Sequence, residues 1–227
     1  MENPCDNTTN PRPHILVEGG TEFCLGKFDG KRIDYDFYKV LAYLNAKGKS
    51  LFGEKFEIKK EDKLTFLKLS SYLVQDSESC KKMQIDLKKG ILLTGPVGCG
   101  KTSMMRLVRH IVPHKKTYEI IPARNITFAF NHIGYKIIED YGNGRCYCFD
   151  DLGVEPRGRY FGDDCNVMGE ILVSRHDLFQ KTKILTHITT NLNAEELEDR
   201  YGSRVRSRMR QMFNLISFDR YTKDKRI

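Results

Sequence analysis

GILLTGPVGCGKTS, residues 90–103, decides how the rest of this chain is read. Residues 90–94 form a short apolar run of strand length, and residues 101–111 carry helical periodicity. Between them, Gly95-Pro96-Val97-Gly98-Cys99-Gly100-Lys101-Thr102 fits the phosphate-loop pattern G-x-x-x-x-G-K-S/T without a mismatch, in the strand–loop–helix context the pattern requires. Phosphate oxygens must come close to backbone, so Gly95, Gly98 and Gly100 leave out side chains that would block them. Successive N–H groups then turn inward as an anion nest, and the N-terminus of the following helix adds its dipole. Lys101 supplies a point charge for the β and γ phosphates, and Thr102 supplies a hydroxyl ligand for Mg²⁺. Residues 95–102 with Ser103 are therefore read as a nucleoside-triphosphate site, with ATP and Mg²⁺ as the expected ligands. A glycine-rich turn arising by chance is the competing reading, and the neighbouring strand and helix argue against it.

Outward from this loop the pattern repeats. Residues 117–121, 145–150, 183–189 and 214–217 read as further strands. Residues 125–141, 166–180, 194–201 and 203–212 read as helices, with Gly134 a weak point in the first. Strands alternating with helices imply an α/β fold, a mostly parallel five-stranded sheet covered on both faces. Residues 1–30, rich in Pro, Gly, Asn and Thr, are expected to be a flexible tail. Residues 31–89 are expected to form a small helical region, with helices at 34–46 (capped by Asp34) and 62–75, and residues 90–227 the core.

The 227 residues are enough for one sizeable core, and 40% hydrophobic with 30% charged residues is an ordinary globular balance. No apolar run is long enough to cross a bilayer, and the first thirteen residues lack a signal peptide's apolar stretch, so a cytoplasmic protein without membrane attachment is expected. The formal net charge of +8 favours an anionic partner, nucleic acid first, although a merely basic surface would carry the same charge. The seven cysteines are odd in number and include no CxxC pair, so buried reduced thiols are expected rather than a metal site.

Three further segments carry chemistry. Cys146-Tyr-Cys-Phe-Asp150-Asp151 is an apolar strand ending in two carboxylates. In phosphate-loop proteins such a strand delivers an acid to the Mg²⁺ shell, the role expected of Asp150, while Asp151 stands where a water-activating carboxylate belongs. Thr186-His-Ile-Thr-Thr-Asn191 runs from an apolar strand to a polar end, and the Asn191 amide can both donate to a phosphate and accept from water. Arg200, Arg204, Arg206, Arg208 and Arg210 crowd one segment. On a helix Arg204 and Arg208 lie about 40° apart and Arg206 and Arg210 form a second pair roughly 200° away. Val205, Met209 and Met212 make the apolar stripe between them, which must face the core.

Together GPVGCGKT, FDDLG at residues 149–153, THITTNL at 186–192 and RYGSRVRSRM at 200–209 resemble, in order, the AAA+ ATPases, and within them the DnaC-type replicative helicase loaders and IstB-type transposition ATPases. The resemblance covers residues 90–217. It implies a three-layer αβα AAA+ core and a slow, assembly-dependent ATPase. In it Asn191 looks like the first sensor residue, Arg208 like the arginine finger with Arg204 beside it, and Arg226 like a second sensor. The finger would act on the γ-phosphate of a neighbouring subunit, so the implied partners are further copies of the chain sharing active sites, single-stranded DNA, and either a replicative helicase or a transposase. The acidic pair departs from the Asp-Glu of most AAA+ proteins, and the chain stops ten residues after the last strand, so the relatives' helical lid domain is expected to be absent. A guanine-specific Asn-Lys-x-Asp motif is not found, which speaks against a GTPase.

Overall fold

The computed structural model describes residues 12–115, 117–219 and 221–225. They divide into two compact units, one of residues up to 74 with 107–115, the other of 75–106 with the remainder from 116 on.

The first unit opens with two hairpins. β1 (Ile15–Glu18) pairs antiparallel with β2 (Thr21–Cys24), and β3 (Gly26–Phe28) with β4 (Ile33–Tyr35). This corrects the expectation of a flexible tail over residues 12–30. Gly19 and Gly20 both have positive φ (56° and 77°), the backbone a two-residue hairpin turn needs to follow the strand twist. The composition that suggests a tail is turn chemistry between two short alternating runs. Residues 1–11 lie outside the described residues. Helix α1 (Phe37–Phe52) follows, and its cap is Asp36, not Asp34: the Asp36 carboxylate accepts from the N–H groups of Tyr38 and Lys39, while Asp34 lies within β4. A 3₁₀ turn (Lys60–Asp62) leads into α2 (Lys63–Val74). Leu25, Leu44, Phe66 and Leu69 are buried here.

The second unit begins with α3 (Ser77–Lys82), which Asp76 caps, so residues 75–89 belong with the core rather than with the helical region expected to hold them. Its strands are β5 (Gly90–Thr94), β6 (Glu119–Pro122), β7 (Tyr147–Leu152), β10 (Thr186–Thr190) and β11 (Phe213–Ser217). They form one parallel sheet in the order β11-β5-β10-β7-β6. Inserting β10 between β5 and β7 sets the carboxyl ends of three strands side by side, and those ends carry the loop, the acidic pair and Asn191. A ligand crevice belongs where the strand order reverses in such a sheet. All five β10 residues are buried, as expected of a central strand covered on both faces.

The helices α4 (Lys101–Val108), α5 (Ala123–Ile133), α6 (Lys136–Tyr141), α7 (Val167–Thr182), α8 (Ala194–Tyr201) and α9 (Ser203–Met212) connect the strands. Residues 125–141, expected as one helix, are two, because Gly134 at φ 78° ends α5. The segment after β7 adds a small hairpin, β8 (Gly158–Tyr160) with β9 (Asp163–Cys165). Arg175 of α7 is fully buried. Its guanidinium donates to Thr186 Oγ1 (2.8 Å), Leu185 O (3.0 Å) and Asn143 O, which satisfies it without a carboxylate. His187 is buried beside it, and burial, with the Arg175 charge, pulls its pKa down to about 3, so it is neutral and accepts the Ile91 N–H on Nδ1. Cys80, Cys99 and Cys148 are buried thiols, whereas Cys24 is exposed.

Candidate nucleotide site

The phosphate loop spans the turn between β5 and α4. Gly98 and Gly100 have φ of 76° and 100°, the left-handed region that strains residues with a Cβ. Lys101 opens α4 and is buried. Its ammonium donates to the carbonyls of Gly95 (2.7 Å) and Pro96 (2.8 Å), folded back on the loop that it closes. Thr102, one residue on, donates its hydroxyl to Asp150 Oδ1 at 2.8 Å.

The acidic pair is delivered by a register shift. Phe149 stands opposite Ile188 and Leu152 opposite Thr190, so Asp150 and Asp151 together oppose Thr189 alone. This is a β-bulge in a parallel pair, and Asp151 adopts φ 53° within it. Adjacent strand residues normally point to opposite faces; the bulge releases Asp151 from that alternation. Thr189 holds the bulge from both sides. Its hydroxyl donates to Asp150 Oδ1 (2.6 Å) and accepts from the Asp151 N–H (2.9 Å). Asp150 is buried, and burial raises its pKa above 3.8; hydroxyls from Thr189 and Thr102 oppose the rise, Asp151 adds to it, and Arg106 opposes it.

Asn191 follows β10 directly and is half-buried. Its flanks are tied to both neighbouring strands: Thr190 Oγ1 donates to Leu152 O (2.6 Å), Thr94 Oγ1 donates to Leu192 O (3.1 Å), and Gly95 N–H donates to Thr190 O (3.3 Å). These bonds place Asn191 between the loop and the acidic pair.

The arginine segment divides as its spacing predicts. Val205, Met209 and Met212 are buried and the arginines flank them. Arg204 is exposed, and Arg208 is half-buried with Nη2 4.0 Å from Asp177 of α7. Arg208 Nη1 and Arg206 Nε are buried without a hydrogen-bond partner among the described residues. Arg200 does something else. It donates from Nε to Glu155 Oε1 (3.3 Å) and from Nη2 to the Glu155 carbonyl, and the Tyr201 hydroxyl donates to the same carboxylate. Glu155 Oε2 accepts the Gly153 N–H at 2.7 Å. This buried cluster ties the end of α8 to the turn that follows the acidic pair. Neither Glu155 nor Thr189 stands out in the sequence; the one signal was their place beside FDDLG and within THITTN. Arg226 lies outside the described residues.

The residues fit a Mg²⁺-bound nucleotide. Thr102 and Asp150 offer two hard oxygen ligands 2.8 Å apart, the pairing Mg²⁺ uses, and the two positive-φ glycines leave the loop backbone without Cβ atoms.

A scan of protein-family models and a search of curated proteins returned no match. Solved structures do match. The crystal structure of the DnaC helicase loader aligns at TM-score 0.51 and 18% identity, over 73% of this chain and 94% of that one. A putative primosome component from Streptococcus pyogenes serotype M3 aligns at TM-score 0.51 and 18% identity, over 73% of this chain and 83% of that one. The chain has the P-loop AAA+ fold. The expected five-stranded parallel core is thereby found, in the order that puts β10 beside both β5 and β7.

Proposed function

We propose that this protein is a Mg²⁺-dependent ATPase that acts on DNA at the start of replication, most specifically as a DnaC-like loader of a replicative helicase. The observation that carries the ATPase reading is Asp150. It is a buried carboxylate whose hydrogen-bond donors, among the described residues, are two hydroxyls, one of them from the phosphate loop's own Thr102. A buried anion without a cationic partner is expensive unless a cation joins it.

In this reading residues 95–103 bind the triphosphate, and the Lys101 ammonium leaves the loop carbonyls for phosphate oxygens. Bound Mg²⁺, held by Thr102 and Asp150, supplies charge neutralisation. Asp151 orients a water and accepts its proton, and Asn191 positions that water against the terminal phosphate. An arginine from a neighbouring copy completes the site; Arg204 is exposed and ready, while Arg208 must first leave Asp177. Hydrolysis then requires a homo-oligomer that shares its sites. The loader reading is supported by the likeness to the DnaC helicase loader and by the +8 charge, which suits single-stranded DNA. An IstB-like ATPase accessory to transposition would use the same core.

Two variants test this. Lys101→Ala should abolish binding of ATP; unchanged affinity removes the site. Asp151→Asn should bind ATP without hydrolysing it, and its ATP-bound form should capture a replicative helicase from cells. Capture of a transposase in its place selects the second reading.

A further inference from the structure

Past β11 the chain turns back onto the phosphate loop. The Phe218 N–H donates to Thr94 O at 2.8 Å, one rung beyond the end of β11. Asp219 then makes a tight turn: its Oδ1 accepts from the Tyr221 N–H (2.8 Å) and its carbonyl from the Thr222 N–H (3.0 Å). The turn returns residues 223–225 to the loop. The Lys225 N–H donates to Gly98 O at 3.1 Å and its ammonium to Cys99 O at 2.9 Å. That ammonium also stands 5.3 Å from the centroid of the Phe218 ring, so the two ends of the segment touch.

Two of the motif's glycines are covered by this segment. A Cβ at Gly95 would lie 2.7 Å from Phe218 Cβ. A Cβ at Gly98 would lie 2.0 and 2.4 Å from the two carboxylate oxygens of Asp224. The second contact is the telling one. The loop sequence leaves out side chains at Gly98 so that anionic oxygens can come close to its backbone. In this structure two anionic oxygens are already there, and they belong to the protein.

We propose that residues 218–219 and 221–225 form an autoinhibitory strap on the phosphate loop, with Asp224 as an internal anion that competes with nucleotide phosphate and Lys225 as the clip that fastens the strap to the loop. The inference rests on the reading of residues 95–103 as a nucleotide site. A triphosphate brought beside the Asp224 carboxylate meets a like charge, so closing the strap weakens nucleotide binding. Linkage makes the effect reciprocal: whatever affinity the strap removes from ATP, ATP applies to opening the strap. Asp224 is exposed, and the contacts of Lys225 include hydrogen bonds to the Gly98 and Cys99 carbonyls and the approach to the Phe218 ring; an exposed segment of this kind is among those that open locally. Nucleotide entry thus changes what residues 221–225 present to a partner, which gives a one-site ATPase a way to announce that its loop is filled.

The test uses the full chain and a fluorescent ATP analogue with Mg²⁺. Asp224→Asn removes the charge and keeps the shape; Asp224→Ala with Lys225→Ala removes the anion and the clip. Asp224 is exposed and Lys225 only half-buried, so both proteins should fold, which far-ultraviolet circular dichroism verifies. The analogue should bind several-fold tighter to the first and roughly tenfold tighter to the second than to the natural sequence. Trypsin should cut after Lys223 faster when ATP and Mg²⁺ are present than when they are absent. Equal or weaker binding by both variants, or cleavage indifferent to ATP, overturns the strap while leaving the site in place. Failure of the natural sequence and both variants alike to bind the analogue overturns the nucleotide site and the strap with it.

Discussion

Asp150 and Glu155 are two buried carboxylates five positions apart, at the end of the same strand and in the turn beyond it, and they are treated in opposite ways. Glu155 receives a guanidinium, a phenol and a backbone N–H, so both of its oxygens are used and its charge is matched. Asp150 receives two hydroxyls on one oxygen, and burial raises its pKa. The difference separates structure from chemistry. A buried acid that the fold matches with its own cation is a brace; one left with neutral donors, beside the proposed phosphate site, is the place where the proposed function puts a cation from outside. The same contrast runs through the arginines: Arg200 is spent on Glu155, while Arg204 remains exposed.

The largest effect should come from breaking the brace. Glu155→Ala removes the carboxylate that the buried Tyr201 hydroxyl and Arg200 Nε share, while the main-chain carbonyl that accepts Arg200 Nη2 stays, a loss of about 2–3 kcal/mol. Urea unfolding with the natural sequence as reference measures it. A loss below about 1 kcal/mol would put Glu155 in the same class as Asp150.

Asp150→Asn should do the reverse. The amide keeps the shape and can still accept from Thr102 and Thr189, so stability in the absence of metal should change by less than about 1 kcal/mol. ATP hydrolysis should fall on the order of a hundredfold or more, because the charge that fixes the metal is gone. A steady-state assay read beside the unfolding curve separates the two. A variant that is unstable yet active would reverse the assignment of roles.

What was legible in the sequence follows the same division. The loop, Asp150, Asp151 and Asn191 sit at the ends of apolar strands within short motifs, so residue type and local position point to them together. The sheet's strands were legible for the same reason: each is a compact apolar run between turn residues. Glu155 and Thr189 were not, because their importance lies in partners brought by the fold, Arg200 lying 45 positions from Glu155 and Asp150 lying 39 from Thr189. The bulge at Asp150 and Asp151 was hidden too, since it exists only in the register of β7 against β10. The hairpins at residues 15–35 were missed for a different cause: strands of three or four residues carry too little periodicity to outweigh Gly-rich composition. The strap over the loop depends on tertiary contacts alone, and no local pattern in residues 218–225 announces it.

The smallest effect is the most specific to the comparison. Asp150's pKa is raised on folding above 3.8. The folded protein therefore holds this proton more tightly than the unfolded chain does. Its stabilising contribution is complete below the unfolded value and is lost as pH rises through the higher folded value. In Asp150→Asn that loss cannot occur. Unfolding measured in the presence of a chelator, from acid toward neutral pH, should show the variant gaining on the natural sequence as pH rises. Carboxylates with lowered pKa values, Glu18 and Asp76 among them, contribute the opposite slope to both proteins and cancel in the difference. Adding Mg²⁺ with ATP at neutral pH should then stabilise the natural sequence and leave Asp150→Asn less stabilised, since only the ionised carboxylate offers the metal a charge. A flat difference with pH would mean that Asp150 is as well matched in the folded state as Glu155 is, and the cation it is held for would lose its physical motive.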